Sequence, residues 1–599
     1  MTKKWILPPD RPEEVGRLVA ALRISEVTAR LLVNRGLSDP AEAQKFLQPS
    51  LHALTDPCDH PAVREAARYL LDAARSGKRI TVFGDYDADG ICAAAVLLRC
   101  FEHLGAAADI YIPHRVDDGY GLSCDALSEL AQGGAQVIVT VDCGITAVKE
   151  VELARRLGMG IVVTDHHPPQ GDLPPANYVL NPKVSLDSAR GGFGYEYLAG
   201  VGVAFKLMWA VGQQLAGGPR VPEDFRELMV EAMSLVALGT VADVVPLLDE
   251  NRTLVHFGLR TLGASSRPGM QALMAAARVN VGHVSARDVA FRLAPRLNAA
   301  GRMGDARAAV ELLLTRDPAH ALELAQHLEE QNSLRRSEQQ SACEEAEEML
   351  WAGEQLERGR CIVLNGPGWH QGILGLVASR MTEKFWRPAF VFASNGAADG
   401  SSSGAVMRGS ARSVPGFPLH TVLAECADLL EQYGGHAAAA GLSLPAQNLS
   451  AFTDRINALA QRLLGEGAPT PELALDAEVT LAELSPALVA EMEALSPYGQ
   501  GNPTPSFAAS GLQQVGNPTL VGSGGNHLSF MVRQGQTTLR AIAMGRAEWI
   551  DQLRERKGEA LSLAFEPTLN TYRGRTSVEL RVEDLQWDAE VMLERRVAD

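Results

Sequence analysis

Paired cysteines are missing from this chain. Its eight cysteines are scattered, with no C-x-x-C pair and no Cys/His zinc spacing, which excludes a disulfide scaffold and a thiolate zinc site. Buried reduced thiols, and with them a reducing cytosol, are the expectation. Long apolar runs are missing too: the best stretches break at Lys206 and Asp243, so no membrane span is expected. The N-terminal MTKKWILPPDRPEE holds an apolar run of three residues that ends at prolines, so no signal peptide is read there and the chain is expected to be soluble and cytoplasmic. Basic charge is in deficit, with 55 Lys and Arg against 72 Asp and Glu for a net −17. That excludes a uniformly basic coat, but not a local basic groove or an acidic metal site. No low-complexity tract, no internal repeat, no Walker A sequence and no H-E-x-x-H occur, and GVGVAF lacks the third glycine of a dinucleotide fingerprint. P-loop NTPases and zincins drop out.

What is present is organised. At about 150 residues per domain, 599 residues suggest three to five domains. Residues 1–50 read as a small helical segment. From Arg79, short apolar strands ending at Asp85, Arg115, Asp142 and His167 alternate with helices, the pattern of a parallel doubly wound sheet. Helices are expected near 197–215 and 225–238, and a long polar bridging helix over 318–356. A second α/β unit opens at RCIVLNGPGWHQGILGLVASR and runs to 464. GEGAPTPEL (465–473) reads as a linker. Beyond it the period changes to two: five strands from Ser506 to Leu585, with a helix between the third and fourth, suit a small barrel of the OB type.

The polar residues fall where an open α/β sheet binds ligands, beyond the carboxyl ends of its strands. GDYDADG places Asp85, Asp87 and Asp89 at spacing two, and three carboxylates so close repel unless a cation sits among them. A calcium EF-hand begins the same way, but its twelfth position here is Val96, where a bidentate Glu is required, and a strand, not a helix, enters the loop. An ordinary aspartate-capped turn is the bland alternative. TVDCG supplies Asp142, and TDHHP supplies Asp165, His166 and His167, with Asp165 able to hold an imidazole tautomer. GTVADVVPL supplies Asp243, which an N-cap role would explain as well. Carboxylates with an imidazole suit manganese or magnesium. The acids outnumber the needs of one ion, and a pair about 3.5 to 4 Å apart is the usual device for in-line attack on phosphorus.

In this order, GDYDADG, TVDCG, TDHH and GTVADVVPL resemble the DHH phosphoesterase family, and within it the single-strand-specific exonucleases. The likeness continues through LAGVGVAFKL, LAPRLNAAGRMGDA, GWHQGILGLVASR, RGSARSVPGF, YGGHAAAAG and YGQGNPTPSF. It implies a DHH catalytic domain (51–317), a connecting helix (318–356), a DHH-associated substrate-binding domain (357–464) and a linker with an OB-type barrel (465–599). It also implies metal-dependent 5′-to-3′ digestion of single-stranded DNA in recombination and repair, with two manganese or magnesium ions.

Carried onto this sequence, the resemblance implies Asp85, Asp87, Asp89, Asp142, His166 and Asp243 as metal ligands, with Asp142 bridging. It implies catalytic roles for His167, Asp165 and Arg302. Arg115, Arg296, Asn298, His370, Arg408, Ser410, Arg412, Ser413 and His436 are implied to hold substrate. Where many relatives place a histidine four residues before Asp87, this chain has Phe83. Expected partners are single-stranded DNA, the single-stranded-DNA-binding protein and other recombination proteins, around a monomer. Rival readings are an oligoribonuclease, a cyclic-dinucleotide hydrolase, a pyrophosphatase, or a dead scaffold of a replication complex. The added barrel counts against the small-molecule enzymes, and the surviving acids count against the scaffold. The barrel offers Arg533, Arg540, Arg573, Arg575 and Arg581, but also Glu566, Glu579, Glu583 and Asp584, so a DNA groove and a protein-docking face both stay open.

Overall fold

The computed structural model describes residues 3–115, 119–184, 193–353, 355–394, 406–465, 470–522 and 524–596. Residues 466–469 of the expected linker, and residue 523 of the GSGGNHL turn, lie outside the described residues. The chain divides into two units: one comprises Thr55–Val245 and Phe257–Pro469, the other Met1–Leu54, Pro246–His256 and Thr470–Asp599.

The first unit is built on β1 (Ile80–Gly84), β2 (Ala108–Tyr111), β3 (Val137–Val141), β4 (Gly160–Thr164) and β5 (Tyr178–Leu180), all parallel, in the order β2-β1-β3-β4-β5. Every residue of β1 and β3 is buried, as continuous apolar runs require when helices cover both faces of a parallel sheet. β5 is a three-residue edge strand, too short for the sequence pattern to register. On one face, Phe83, Ile138, Ile161 and Val163 pack with Leu127, Val151 and Ala154 of the two intervening helices. On the other lie α1 (Ala88–His103), α2 (Gly200–Ala216) and α3 (Glu223–Ala242). α4 (Ala294–Met303) follows a π-helical turn, Val289–Leu293, and α5 (Pro318–Ala352) is the long helix. It spans about 52 Å at 1.5 Å per residue and ends at Ala352, four residues short of the expected end.

Within the same unit, β6 (Ile362–Pro367), β7 (Ala389–Ser394), β8 (Val406–Arg412), β9 (Gln432–Gly435) and β10 (Ala439–Pro445) form a second sheet in the order β9-β10-β8-β7-β6. Leu374–Phe385 is the helix after β6.

The second unit is a closed barrel of β11 (Phe507–Val521), β12 (His527–Gln534), β13 (Thr537–Ala543), β14 (Ala560–Tyr572) and β15 (Arg575–Trp587). β11 pairs with both β12 and β14, and β13 pairs in parallel with β15, which closes the cylinder. The helix between the third and fourth strands is Trp549–Glu555. The helical segment of residues 1–50 packs on the barrel: Val15, Leu18, Leu31 and Leu32 share one apolar core with Leu512, Leu528 and Leu563. Glu472 and Leu473, at the end of the expected linker, belong to the strand Glu472–Ala474, which pairs in parallel with Lys4–Leu7. Arg252 lies in the same unit. Its buried guanidinium donates to the carbonyls of Phe46, Ala494, Leu495 and Ser496 at 2.7 to 3.1 Å.

Candidate functional site

The site is assembled by strand ends and helix starts. β1 ends at Gly84, and Asp87 then caps α1, its Oδ1 accepting from the N–H groups of Asp89 and Gly90. An N-cap aspartate satisfies amides that the first turn leaves orphaned. Gly90 is required sterically, because a Cβ there would stand 2.8 Å from the Asp85 backbone. Asp89, buried inside the first turn, accepts from the N–H of Gly200 at 2.6 Å and of Val201 at 3.0 Å, at the start of α2. Asp142 follows β3 in a left-handed conformation, φ 61°. Asp243 caps the C-terminal end of α3.

These groups converge. His166 Nε2 lies 3.1 Å from Asp142 Oδ1 and 3.5 Å from Asp243 Oδ2. Among the described residues, Asp85 Oδ1, Asp142 Oδ1, Asp243 Oδ2 and both ring nitrogens of His166 are buried with no partner in hydrogen-bonding geometry. Buried polar atoms are ordinarily satisfied, so five orphans in one cluster mark a place for something cationic. Ligand-type atoms lie within 4.8 Å of one another in three sets: Asp85, Asp87 and Asp142; Asp89, His166 and Asp243; and Asp142, His166 and His167. Asp142 belongs to two of them. An oxygen-rich set with one imidazole fits manganese or magnesium.

The electrostatics point the same way. Burial, and then the neighbouring acid charges, push Asp142 and Asp85 well above the usual carboxylate range. Asp89 rises to about 7 and Asp243 to about 9 by the same causes in the same order. Burial drives His166 down to about 3, which keeps it neutral and able to donate a lone pair. His167 behaves oppositely. Burial alone would lower it, but the hydrogen bond and charge of Asp165, backed by Asp87 and Asp89, raise it. Asp165 accepts His167 Nδ1 at 2.8 Å and the backbone N–H groups of Ile145, His166 and His167. The imidazole that Asp165 holds is therefore that of His167.

Two grips on the His pair had no sequence signal beyond an NPK triplet at the end of β5. Asn181 Nδ2 donates to the His167 carbonyl and Lys183 Nζ to that of His166. Two glycines were also missed. A Cβ on Gly200 would stand 2.8 Å from Asp142, and one on Gly239 would stand 2.7 Å from Asp89 Oδ1. Tyr120 donates to the Asp142 carbonyl at 3.0 Å and stands edge-on to His167. Phe83 faces the core, stacked on Tyr111, and is remote in character from a ligand position.

A cationic group stands beside the acids. Arg115, four residues past β2, stacks on Tyr86 at 4.7 Å. Burial first, and then the charges of Arg115, Arg335 and Arg412 against the opposing Asp87, lower Arg302 to about 10. Arg412 is depressed by burial and by Arg115. Three guanidiniums close enough to repel one another define a place for an anion. Arg412 Nη1 donates to Ser410 Oγ at 3.2 Å, and Gly375 leaves the room: a Cβ there would meet Arg412 Nη2 at 2.9 Å. Arg302 Nη1 donates to the Gly372 carbonyl, beside His370, whose Nδ1 accepts from the Gly372 N–H. Arg408 reaches Gln371 at 3.5 Å.

The remaining substrate candidates are placed differently. Asn298 Oδ1 accepts from the Ala88 N–H at 2.8 Å, bracing the aspartate loop. Arg296 is pinned by Glu329 and by the carbonyls of Arg292 and Ala276. Ser413 donates to the Phe417 carbonyl. His436 lines a cavity of 410 Å³ with Gln170, His420 and Tyr433. In the barrel, Arg540 pairs with Glu579 and Arg581 with Glu566, while Arg533 donates to Gln513.

Three family models match the chain: the DHH family N-terminal domain over residues 79–240, the DHHA1 domain over 358–462 and the RecJ OB domain over 475–584. The single-stranded-DNA-specific exonuclease RecJ of Escherichia coli is 36% identical over 93% of this chain and 95% of its own length. The chain belongs to the RecJ family. The RecJ of Bacillus subtilis is 33% identical over 97% of the chain and 70% of its own length. The crystal structure of Thermus thermophilus RecJ in complex with Mn²⁺ superposes with a TM-score of 0.79 at 32% identity, covering 97% of this chain and 79% of that one. The expected combination of DHH sheet, DHHA1 domain and OB barrel is thus what this RecJ-family chain has. No helix among the described residues is long and apolar enough to cross a membrane.

Proposed function

We propose that this RecJ-family chain is a metal-dependent exonuclease that digests single-stranded DNA from its 5′ end. The observation that carries the reading is the meeting, within one unit, of orphaned buried carboxylates with three mutually repelling guanidiniums. Asp85, Asp87, Asp89, Asp142, His166 and Asp243 would hold two divalent ions, with Asp142 the shared ligand. Such ions, when bound, supply charge stabilisation and activation of water for attack on phosphorus.

The protein's own groups do the rest. Arg115, Ser410 and Arg412, with Arg302 behind them, would seat the terminal 5′-phosphate, because planar forks and hydroxyls match phosphate oxygens. That anchor fixes which bond reaches the acids. His167, its Nδ1 spent on Asp165, has only Nε2 to offer, and its raised affinity for a proton suits stabilising charge on the reacting phosphate or handing a proton to the departing oxygen. Asn181, Lys183 and Tyr120 would keep the His pair and the Asp142 backbone in register. His436 would contact the nucleotide, and the barrel would bind the strand further along or dock the single-stranded-DNA-binding protein. We place the enzyme in the cytoplasm, as a monomer working in recombination and repair.

The test is digestion of one single strand, labelled in turn at each end, with Mn²⁺ or Mg²⁺. Early release of the 5′ label and persistence of the 3′ label are expected. Release from the 3′ end first, or digestion unaffected by chelation of the metal, would overturn the reading.

A further inference from the structure

Phe291 is the most exposed of the large apolar side chains among the described residues, at 73%. It sits in the middle of the π-helical turn Val289–Leu293, and single π-turns inside helices are frequent at functional sites. The turn is firmly held. Ser285 and Asp288 close a capping box just before it, and Val289 and Leu293 on either side of Phe291 are fully buried. An exposed ring on a rigid turn is therefore presented to something outside the described contacts, and its surroundings say what.

The Arg287 guanidinium lies 5.6 Å from the Phe291 ring centre. Arg292, next in sequence, pairs with Asp288 at 3.2 Å and is half exposed. Arg296, one turn on, neighbours Arg335, which is lowered first by burial and then by Arg336 and Arg296. Arg335 in turn neighbours Arg302 of the anion site. Arginines are thus spaced from the anion site to the Phe291 ring, with Arg292 and Arg296 partly neutralised by Asp288 and Glu329, in a chain whose net charge is −17. The same helix carries both ends: α4 begins directly after the turn and brings Asn298 to the aspartate loop seven residues beyond Phe291, roughly 10 Å at 1.5 Å per residue. Aromatic faces set along a cationic track are how proteins hold single strands without regard to sequence.

We infer that Phe291, flanked by Arg287 and Arg292, is a stacking platform for a nucleobase of the substrate strand, a few nucleotides beyond the one being cut. The inference rests on the single-strand exonuclease reading, and it assigns a binding position that the metal and phosphate groups do not include. A base stacked there is released and re-stacked at each cycle, so the platform sets the grip on long strands and leaves the chemistry untouched.

The experiment uses the full chain with Mn²⁺, Phe291→Ala and Phe291→Tyr, and two 5′-phosphorylated substrates, a 20-mer of thymidylate and the dinucleotide, which has no nucleotide beyond the two that flank its one phosphodiester. Phe291→Ala should raise the half-saturating concentration of the 20-mer by about 5- to 150-fold, leave its maximal rate within twofold, and leave the dinucleotide unchanged. Phe291→Tyr should restore the 20-mer. A second readout is independent of cutting. A 2-aminopurine moved along the strand should show stacking at one register in the wild type, and Phe291→Ala should abolish that signal alone. Unchanged 20-mer affinity with an unchanged 2-aminopurine profile would overturn the inference, as would equal loss on the dinucleotide. If the wild type cuts neither substrate, the exonuclease reading fails by itself, and the 2-aminopurine profile still decides the platform.

Discussion

Gly200 offers a sharp test of how the acid cluster is built. It opens α2, its N–H donates to Asp89 at 2.6 Å, and its φ is not in the left-handed region, so alanine there brings no backbone strain. The added Cβ, however, would stand 2.8 Å from both Cβ and Oδ1 of Asp142. Ordinary contact begins near 3.4 Å, so something must yield by about 0.6 Å. Asp142 is 2% exposed and short, with no flexible end to swing aside. The carboxylate itself moves, or α2 retreats and drags the amides off Asp89. Metal sites tolerate ligand errors of about 0.2 Å, and supporting residues are typically worth 10- to 100-fold in metal affinity or activity. Gly200→Ala should therefore lower the single-strand digestion rate by about 10- to 100-fold, with part of the loss recovered at high Mn²⁺. Stability should fall by only about 1–3 kcal/mol, the usual range for overpacking. The assay is initial rate at saturating strand across a manganese titration, beside a thermal melt. Gly16→Ala is the control, since nothing lies within 4 Å of a Cβ on that helical glycine, and it should be neutral or slightly stabilising. Gly200→Ala activity within twofold of wild type at every manganese concentration would refute the packing argument.

Three further outcomes are expected. Asp142→Ala should reduce turnover below about a tenth of wild type while strand binding persists, since loss of a shared ligand costs several kcal/mol of transition-state stabilisation; gel-shift and rate measurements on one preparation check both. Arg412→Ala should slow cleavage of 5′-phosphorylated strands about 10- to 150-fold more than of 5′-hydroxyl strands, the equivalent of a charge-assisted contact of about 1.5–3 kcal/mol, and equal losses would assign the arginine to general backbone contact. Arg252→Met should take the shared donor from the carbonyls of Phe46, Ala494, Leu495 and Ser496, of which Leu495 keeps Asn502 Nδ2 at 2.8 Å. At about 1–3 kcal/mol for a buried carbonyl left unsatisfied, that of Phe46 first, the melting of the barrel unit should drop by at least about 2 °C, which calorimetry of the full chain would show.

Much of this is legible in the amino-acid sequence. Strand ends were readable because buried parallel strands are continuous apolar runs, and the next residue is where polar chemistry begins: Asp85, Asp142 and Asp165 each stand directly after such a run. The barrel was readable from its period of two and from the helix between its third and fourth strands. What stayed hidden depends on contacts far apart in sequence. Trp5 is fully buried and donates to Asp584 at 2.8 Å, and Lys4 pairs with Glu472. Nothing local in a four-residue strand announces partners more than 400 positions away. Gly200 and Gly239 were hidden for a related reason: a glycine needed because a distant carboxylate touches it looks like any helical glycine. Which arginines are committed to carboxylates was equally illegible, since Arg296 and Arg412 belong to similar motifs and only their neighbours separate them.

That last distinction decides what the barrel contributes. Its sequence offered five arginines for a DNA groove, but Arg540 lies 3.3 Å from Glu579 and Arg581 lies 3.5 Å from Glu566, with Glu579 and Arg581 both on β15 and Arg540 beside them on β13. An arginine already paired on the surface releases few counterions when a phosphate arrives, because the carboxylate has to be displaced or repelled. The outer face of β13 and β15 is therefore close to charge-neutral as it stands, and these two arginines should add little to the salt dependence of strand binding. Cutting the barrel off near Gly465 is a poor way to ask, since Val15, Leu18, Leu31 and Leu32 would lose the core they share with it. The double substitution Glu566→Gln with Glu579→Gln keeps the shapes and frees both guanidiniums. If the strand passes over this face, affinity for a long single strand should rise at low salt, and the slope of log affinity against log salt should steepen by about 1.4, two phosphates at roughly 0.7 each for single strands. If the slope and the low-salt affinity both stay where they were, the strand does not cross this face, and the paired arginines belong to a surface for docking protein.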